Sequence, residues 1–399
     1  MPKTKCVRSE LAISVCIAAR RSLVGLLVVV ALFLSAYFIT QREEPRSADP
    51  PSTSADVPRA EPTTTTSAEF PAAELRSALI DVCSNAATDS ADKEWTQEEI
   101  QAQIDAFNEQ KQTLSESLSA SSSAEHLHLA ALLEDDPASR SELLHAAISR
   151  GSSDPFLVWG AVQICSEAIE TMPCPLRDWE RLLIAVDGQN SESWIRVAAN
   201  RYAASDYDEA LDAMRHASTA AESRAYWTEM IEMIERGFAA GSDFGFPERA
   251  RMAFGFAASE LPRYGDYVKM CEERSAQSVD WAYACLAYGE LVENQGKTEM
   301  GVSIARSIQK LALEGLGEVD KAAEVQQRIE ARRQERLDSI KDYNPAIERL
   351  IFSNPTLFSA YLAAIRSEGE EAARRHIAVE IEQLIEQQPD LACVKVGVR

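Results

Sequence analysis

The chain has 399 residues, room for one or two domains of ordinary size, and a helix-leaning composition: 46% hydrophobic but only 7% aromatic. Its formal net charge is −23; the stretch from Met1 to Arg21 holds Lys3, Lys5, Arg8, Arg20 and Arg21 against Glu10, a net +4, so the remainder carries −27. A body that acidic repels phosphate backbones and anionic head groups, which excludes nucleic-acid binding and leaves solubility, or attraction of basic partners, as the meaning of the charge.

The first element is an uncharged run, SLVGLLVVVALFLSAYFIT, beginning at Ser22 and ending at Thr40. About 20 apolar residues cross a bilayer core, so this run is expected to be a transmembrane helix and the chain's contact with lipid. Arg20 and Arg21 stand directly before it, and Tyr37 and Phe38 near its far end suit the interface. The basic excess of residues 1–21 places them in the cytoplasm and the body outside it, facing the periplasm if the source is bacterial. A cleaved signal peptide is the competing reading. Its apolar core runs about 7–15 residues with small residues at the cleavage site, whereas here Ala36 follows Leu34 at that spacing. Residues 41–72 come next, with Pro45, Pro50, Pro51, Pro58, Pro62 and Pro71 and four consecutive threonines from Thr63. They lack apolar periodicity and read as a flexible tether.

From Leu75 onward apolar residues recur at spacings of three and four, as in Ile100, Ile104, Phe107, Leu114 and Leu118, the period of a buried helix face. Residues 73–120 read as a helical lead-in. Asp136-Pro137, Asp154-Pro155, Asn344-Pro345 and Asn354-Pro355 each place an N-cap residue before a proline suited to the first helical turn. Residues 121–315 read as a helical array, and 316–399 as C-terminal helices, the first of them highly charged.

Within the array Trp159, Trp194 and Trp227 recur at a nearly constant interval, close to the ~34-residue period of a known helical repeat. The best-formed unit is residues 191–218, SESWIRVAANRYAASDYDEALDAMRHAS. It resembles a tetratricopeptide repeat. Trp194, Val197, Ala198, Tyr202, Tyr207, Ala210 and Ala217 hold the repeat's places, and Ser205 stands where the family has its turn glycine. A looser copy begins at Trp281, and the units around Trp159 and Trp227 depart further. The resemblance implies an all-α fold in which an α-α superhelix of helix hairpins follows the membrane helix, with small residues letting paired helices approach and Trp194 and Tyr207 filling the hairpin ends. It also implies a groove for a protein or peptide, lined by Glu192, Ile195, Ala199 and Tyr202 and, in the second unit, by Val279, Ala282 and Leu286. A generic Ala-rich helical bundle is the alternative.

Six cysteines lie beyond the span. Cys165 with Cys174, and Cys271 with Cys285, each flank a short turn and are expected to form disulfides in an oxidising compartment. Pairing of Cys83 with Cys393 stays open. No zinc-binding helix, nucleophile elbow or phosphate loop occurs, and no metal, cofactor or catalytic residue is expected. The sequence therefore points to a membrane-tethered interaction module with a protein or peptide partner in the cell envelope. An enzyme with an unrecognised site, acting for example on cell-wall material, and a structural spacer are the alternatives.

Overall fold

A computed structural model of the chain describes residues 70–85, 96–167, 173–341, 345–388 and 391. They form α1 (Ala72–Asn85), α2 (Gln97–Ser119), α3 (Ala124–Leu133), α4 (Pro137–Gly151), α5 (Pro155–Glu167), α6 (Leu176–Asp187), α7 (Ser191–Ala203), α8 (Tyr207–Thr219) and α9 (Trp227–Gly241). There follow α10 (Phe246–Ser259), α11 (Tyr264–Ser275), α12 (Val279–Gln295), α13 (Glu299–Gly315), α14 (Val319–Lys341), α15 (Pro345–Ser353), α16 (Pro355–Glu368) and α17 (Glu370–Gln387). The fold class is all-α. The one strand-like pairing among the described residues is an isolated bridge between Asn190 and Glu222. No described helix is long and apolar enough to cross a membrane. The expected span from Ser22 to Thr40 lies outside the described residues, as do residues 1–21 and all but the end of the tether.

Capping chemistry sets the helix starts. Asp136 Oδ2 accepts from Ser139 N at 2.8 Å, Asp154 Oδ1 from Phe156 N at 3.0 Å, and Asn354 Oδ1 from Thr356 N at 2.9 Å and Leu357 N at 3.1 Å. Each satisfies amide donors that the first turn leaves unpaired. Asn344 lies outside the described residues.

The α7–α8 hairpin has the close packing its alanines imply: Ala198, Ala210 and Ala217 are fully buried. Its turn is a Schellman motif. Asp206 N donates to Arg201 O and Ser205 N to Tyr202 O, both at 2.9 Å, with Ser205 left-handed at φ 64°. Tyr207 does not fill the hairpin end as expected; it is 40% exposed, with the Arg274 guanidinium 4.3 Å from its ring centre.

Two hydrophobic cores result. One joins α1–α6 with α9, α10 and α15–α17; the other is built from α7, α8, α11, α12 and α13. Sequential hairpins therefore belong to different cores. α8 packs on α12, while α9 packs on α2, α3 and α16. Gly237 and Gly241, one turn apart on α9, permit this: a Cβ at either would lie 2.0 Å from Leu129 Cδ2 or 2.4 Å from Leu114 Cδ1. Trp227 opens α9, and Tyr226 before it is left-handed at φ 54°. The charged α14 is tied down by ion pairs from Arg328 to Glu293 at 3.2 Å and from Arg332 to Glu371 at 2.6 Å.

Both expected disulfide pairs are at bonding distance, with Cα separations of 6.1 Å for Cys165–Cys174 and 5.9 Å for Cys271–Cys285. The first ties α5 to the segment before α6, and the second ties α11 to α12. Cys83 is also disulfide-bonded.

Candidate binding cleft

The most organised polar feature is the connection from α8 to α9, and one fully buried residue, Asn190, holds it. Asn190 Nδ2 donates to Arg224 O and Asp187 Oδ2, each at 2.9 Å; its Oδ1 accepts from Arg224 N at 2.9 Å and Glu192 N at 3.1 Å. Backbone bonds from Ser191 N to Glu222 O (2.8 Å) and from Ala221 N to Gln189 O (3.0 Å) complete the attachment. At its end Tyr226 is buried, packed 5.9 Å from Phe156 and 5.6 Å from Trp159 between ring centres. A bulky residue keeps a left-handed backbone only where its surroundings fix it.

This connection forms one wall of a cleft of about 310 Å³. The other walls come from the end of α12 and start of α13, from Tyr264 of α11, and from Ile365 and Arg366 of α16, so the cleft lies where the two cores meet. The cations around it are engaged. Arg224 Nε donates to Glu229 Oε1 at 3.1 Å, Arg366 Nη2 to Glu232 Oε1 at 2.7 Å, and Lys297 Nζ to Ser367 O at 2.8 Å. Glu192, 2% exposed, is among the residues that line it. Its Oε1 accepts from Tyr288 Oη at 3.2 Å and Ser223 Oγ at 3.4 Å, while its Oε2 accepts nothing. Burial pushes the Glu192 carboxyl pKa up, against the opposing charge of Arg196. Tyr264 Oη, also lining the cleft, has Thr298 nearby but makes no hydrogen bond of good geometry.

A second cleft, about 350 Å³, lies beside Cys174 and Pro175. Its arginines are committed: Arg177 to Asp206 and Glu209, Arg201 to the buried Glu180.

The structure does not bring the seven expected groove residues to one surface. Glu192 lines the first cleft. Ile195, Ala199 and Ala282 are buried, because α11 packs on α7 and α12 on α8, covering the face that a concave groove would need. Leu286 is half-buried between the second core and a small cluster of Leu313, Ala322 and Val325. Tyr202, half-buried, donates to the Glu273 carboxylate, and burial and that carboxylate push its pKa up to about 12. Val279, 58% exposed, stands apart on α12. Sequence reasoning missed Ser223, Tyr226, Trp227, Tyr264 and Arg366, which come from segments distant in sequence. The signal available was the Asn190-Ser191 helix start.

Two other ionisable features lie away from this cleft. Burial and the nearby Glu167 charge push the Glu260 carboxyl up to about 7; burial also raises Glu167, opposed by Arg263 at 3.8 Å. Neither carboxylate lines either cleft. His128 is fully buried with no hydrogen bond on either ring nitrogen, and burial lowers its pKa to about 4. Among the described residues no three histidine, cysteine or acidic side chains are grouped to hold a metal.

Comparison with known proteins yields no family, no curated relative and no solved structure that matches the chain.

Proposed function

We propose that the chain is a membrane-anchored, extracytoplasmic interaction module of tetratricopeptide-like hairpins, held by the span from Ser22 to Thr40 and reaching a protein or peptide partner of the cell envelope through its tether. The observation that carries this reading is the cleft at the meeting of the two cores, walled by the ordered α8–α9 connection and by the aromatic and aliphatic side chains of Tyr226, Trp227, Val292 and Ile365. The α7–α8 hairpin supports the repeat relationship, since its turn is left-handed at Ser205, the family's glycine place. Two disulfides suit an oxidising compartment outside the cytoplasm. The α-α superhelix is part of the proposal: the α7–α8, α11 and α12–α13 packing is its best-formed portion.

In-cell crosslinking of the tagged chain in its native membrane, followed by mass spectrometry, tests the proposal against a variant truncated after Pro71. A small partner set lost on truncation is expected. No partner, with the domain folded and abundant, rejects it.

A further inference from the structure

α1 takes its packing partners from the other end of the chain: α15, α16 and α17. Its Leu75 and Leu79 are fully buried, and its Glu74 Oε2 accepts from Asn354 Nδ2 at 3.3 Å. Phe70, at the end of the expected tether, is buried too, its ring centre 5.1 Å from that of His376 on α17. Beyond α17, Leu391 is buried in the same core, and its carbonyl oxygen lies 3.6 Å from Cys83 Sγ near the end of α1.

Cys83 is disulfide-bonded, and its partner follows by elimination. Of the chain's eight cysteines, Cys165 pairs with Cys174 and Cys271 with Cys285. Cys6, Cys16 and Cys393 remain, all outside the described residues. Cys6 and Cys16 precede the expected span, on the side of the membrane away from the body. Cys393 is two residues beyond Leu391. Two residues reach at most about 7 Å, and the Cα atoms of a disulfide stand roughly 4.4–6.8 Å apart.

We propose that Cys83 and Cys393 form a third disulfide, a redox-sensitive clasp that joins the tether-bearing helix to the C-terminal end of the chain. This rests on the extracytoplasmic placement proposed above, whose oxidising compartment supplies a disulfide oxidant. One cysteine thiolate attacks the oxidant's S–S bond to form a mixed disulfide; the second displaces the oxidant from it. The two cysteines lose two protons and two electrons, and the oxidant leaves as two thiols. A load on the tether enters the body at α1, and the clasp passes it covalently to the far end of the chain instead of leaving it to side-chain packing. Closing so long a loop also restricts the unfolded chain strongly. The clasp bears on the cleft through α16, which packs on α1 and carries Ile365 and Arg366 in the cleft wall.

The full chain is alkylated in its native membrane, digested without reduction and mapped by mass spectrometry. A peptide pair linked through Cys83 and Cys393, absent after dithiothreitol, is expected beside the other two bridges. Alkylated Cys83 and Cys393 with those two bridges intact would overturn the pairing while the extracytoplasmic placement stood. Cys83 linked to Cys6, to Cys16 or to a second copy of the chain would also overturn it. Free thiols at all of Cys83, Cys165, Cys174, Cys271, Cys285 and Cys393 would overturn the placement and the pairing together. Hydrogen exchange reads the clasp itself. Cys83→Ser, Cys393→Ser and the double variant should each speed exchange of the α1 amides at least about tenfold, and by the same factor, since all three remove one bond. The amides of α7 and α8, in the other core, are the control and should not change. Unchanged exchange in α1, or faster exchange in the double variant than in either single one, would overturn the clasp. If the variants fail to fold, the map of the unaltered chain still decides the pairing.

Discussion

Ser205→Gly should stabilise the protein, and the reasoning can be checked against a control within the same fold. Ser205 holds the left-handed position after α7 at φ 64°, and Gly317 holds the equivalent position after α13 at φ 74°. Both turns have the same paired bonds: Gly317 N donates to Glu314 O at 3.1 Å and Glu318 N to Leu313 O at 2.9 Å. A left-handed backbone costs a residue with a Cβ about 1–2 kcal/mol. Glycine removes that strain but orders more chain entropy on folding, about 0.5–1 kcal/mol. The net expectation is a gain of about 0.5–1 kcal/mol for Ser205→Gly, and a loss of about the same size for Gly317→Ala, where a Cβ would meet nothing within 4 Å. Urea unfolding followed by circular dichroism, with disulfides intact, resolves both. If Ser205→Gly destabilises while Gly317→Ala behaves as stated, the α7–α8 turn is not the Schellman turn described and the repeat relationship loses its local basis.

Three further outcomes follow from buried polar groups. His128 has its folded pKa lowered from 6.5 to about 4, so its contribution is present above pH 6.5 and is lost as pH falls through 4, up to about 3 kcal/mol; His128→Leu should remove that acid-side slope in stability measured across pH. Glu260 has the opposite sign: raised from 4.5 to about 7, it contributes fully below pH 4.5 and loses that contribution as pH rises through 7. Glu260→Gln should then be more stable than wild type at pH 8, by up to about 3 kcal/mol, and equal to it near pH 4, in denaturant unfolding at both pH values. Asn190→Ala removes four hydrogen bonds from a buried site and strands their partners, so it should cost about 3–4 kcal/mol and expose the α8–α9 connection to limited proteolysis before the rest of the chain.

The local chemistry of this fold is written in short stretches of sequence, and the assembly is not. Asp136, Asp154 and Asn354 announce their helices because capping acts between near neighbours in the chain. The Cys165–Cys174 and Cys271–Cys285 pairs are legible because each closes a short loop, with sequence separations of 9 and 14. The α7–α8 hairpin is legible because its alanines and its turn all fall between Ser191 and Ser218. Period alone, however, does not say which hairpin stacks on which. Gly237 and Gly241 draw α9 onto α2 and α3, and α11 and α12 then cover the α7–α8 pair. Ile195, Ala199 and Ala282 became core for that reason, while Glu192, near the start of α7, lines the cleft. The cleft draws on α7, the α8–α9 connection, α9, α11, α12, α13 and α16, and no window of sequence contains such a site.

Site-specific photocrosslinking tests the central claim most directly. A photoreactive side chain placed at position 222, on the cleft rim, is irradiated in the full chain in its native membrane, beside the same group at position 279 on α12. The account predicts a discrete adduct from position 222 that Ala225→Trp, which puts a bulky side chain in the lining of the cleft, eliminates. Adducts from position 279 with none from 222, or a position-222 adduct indifferent to Ala225→Trp, would contradict it.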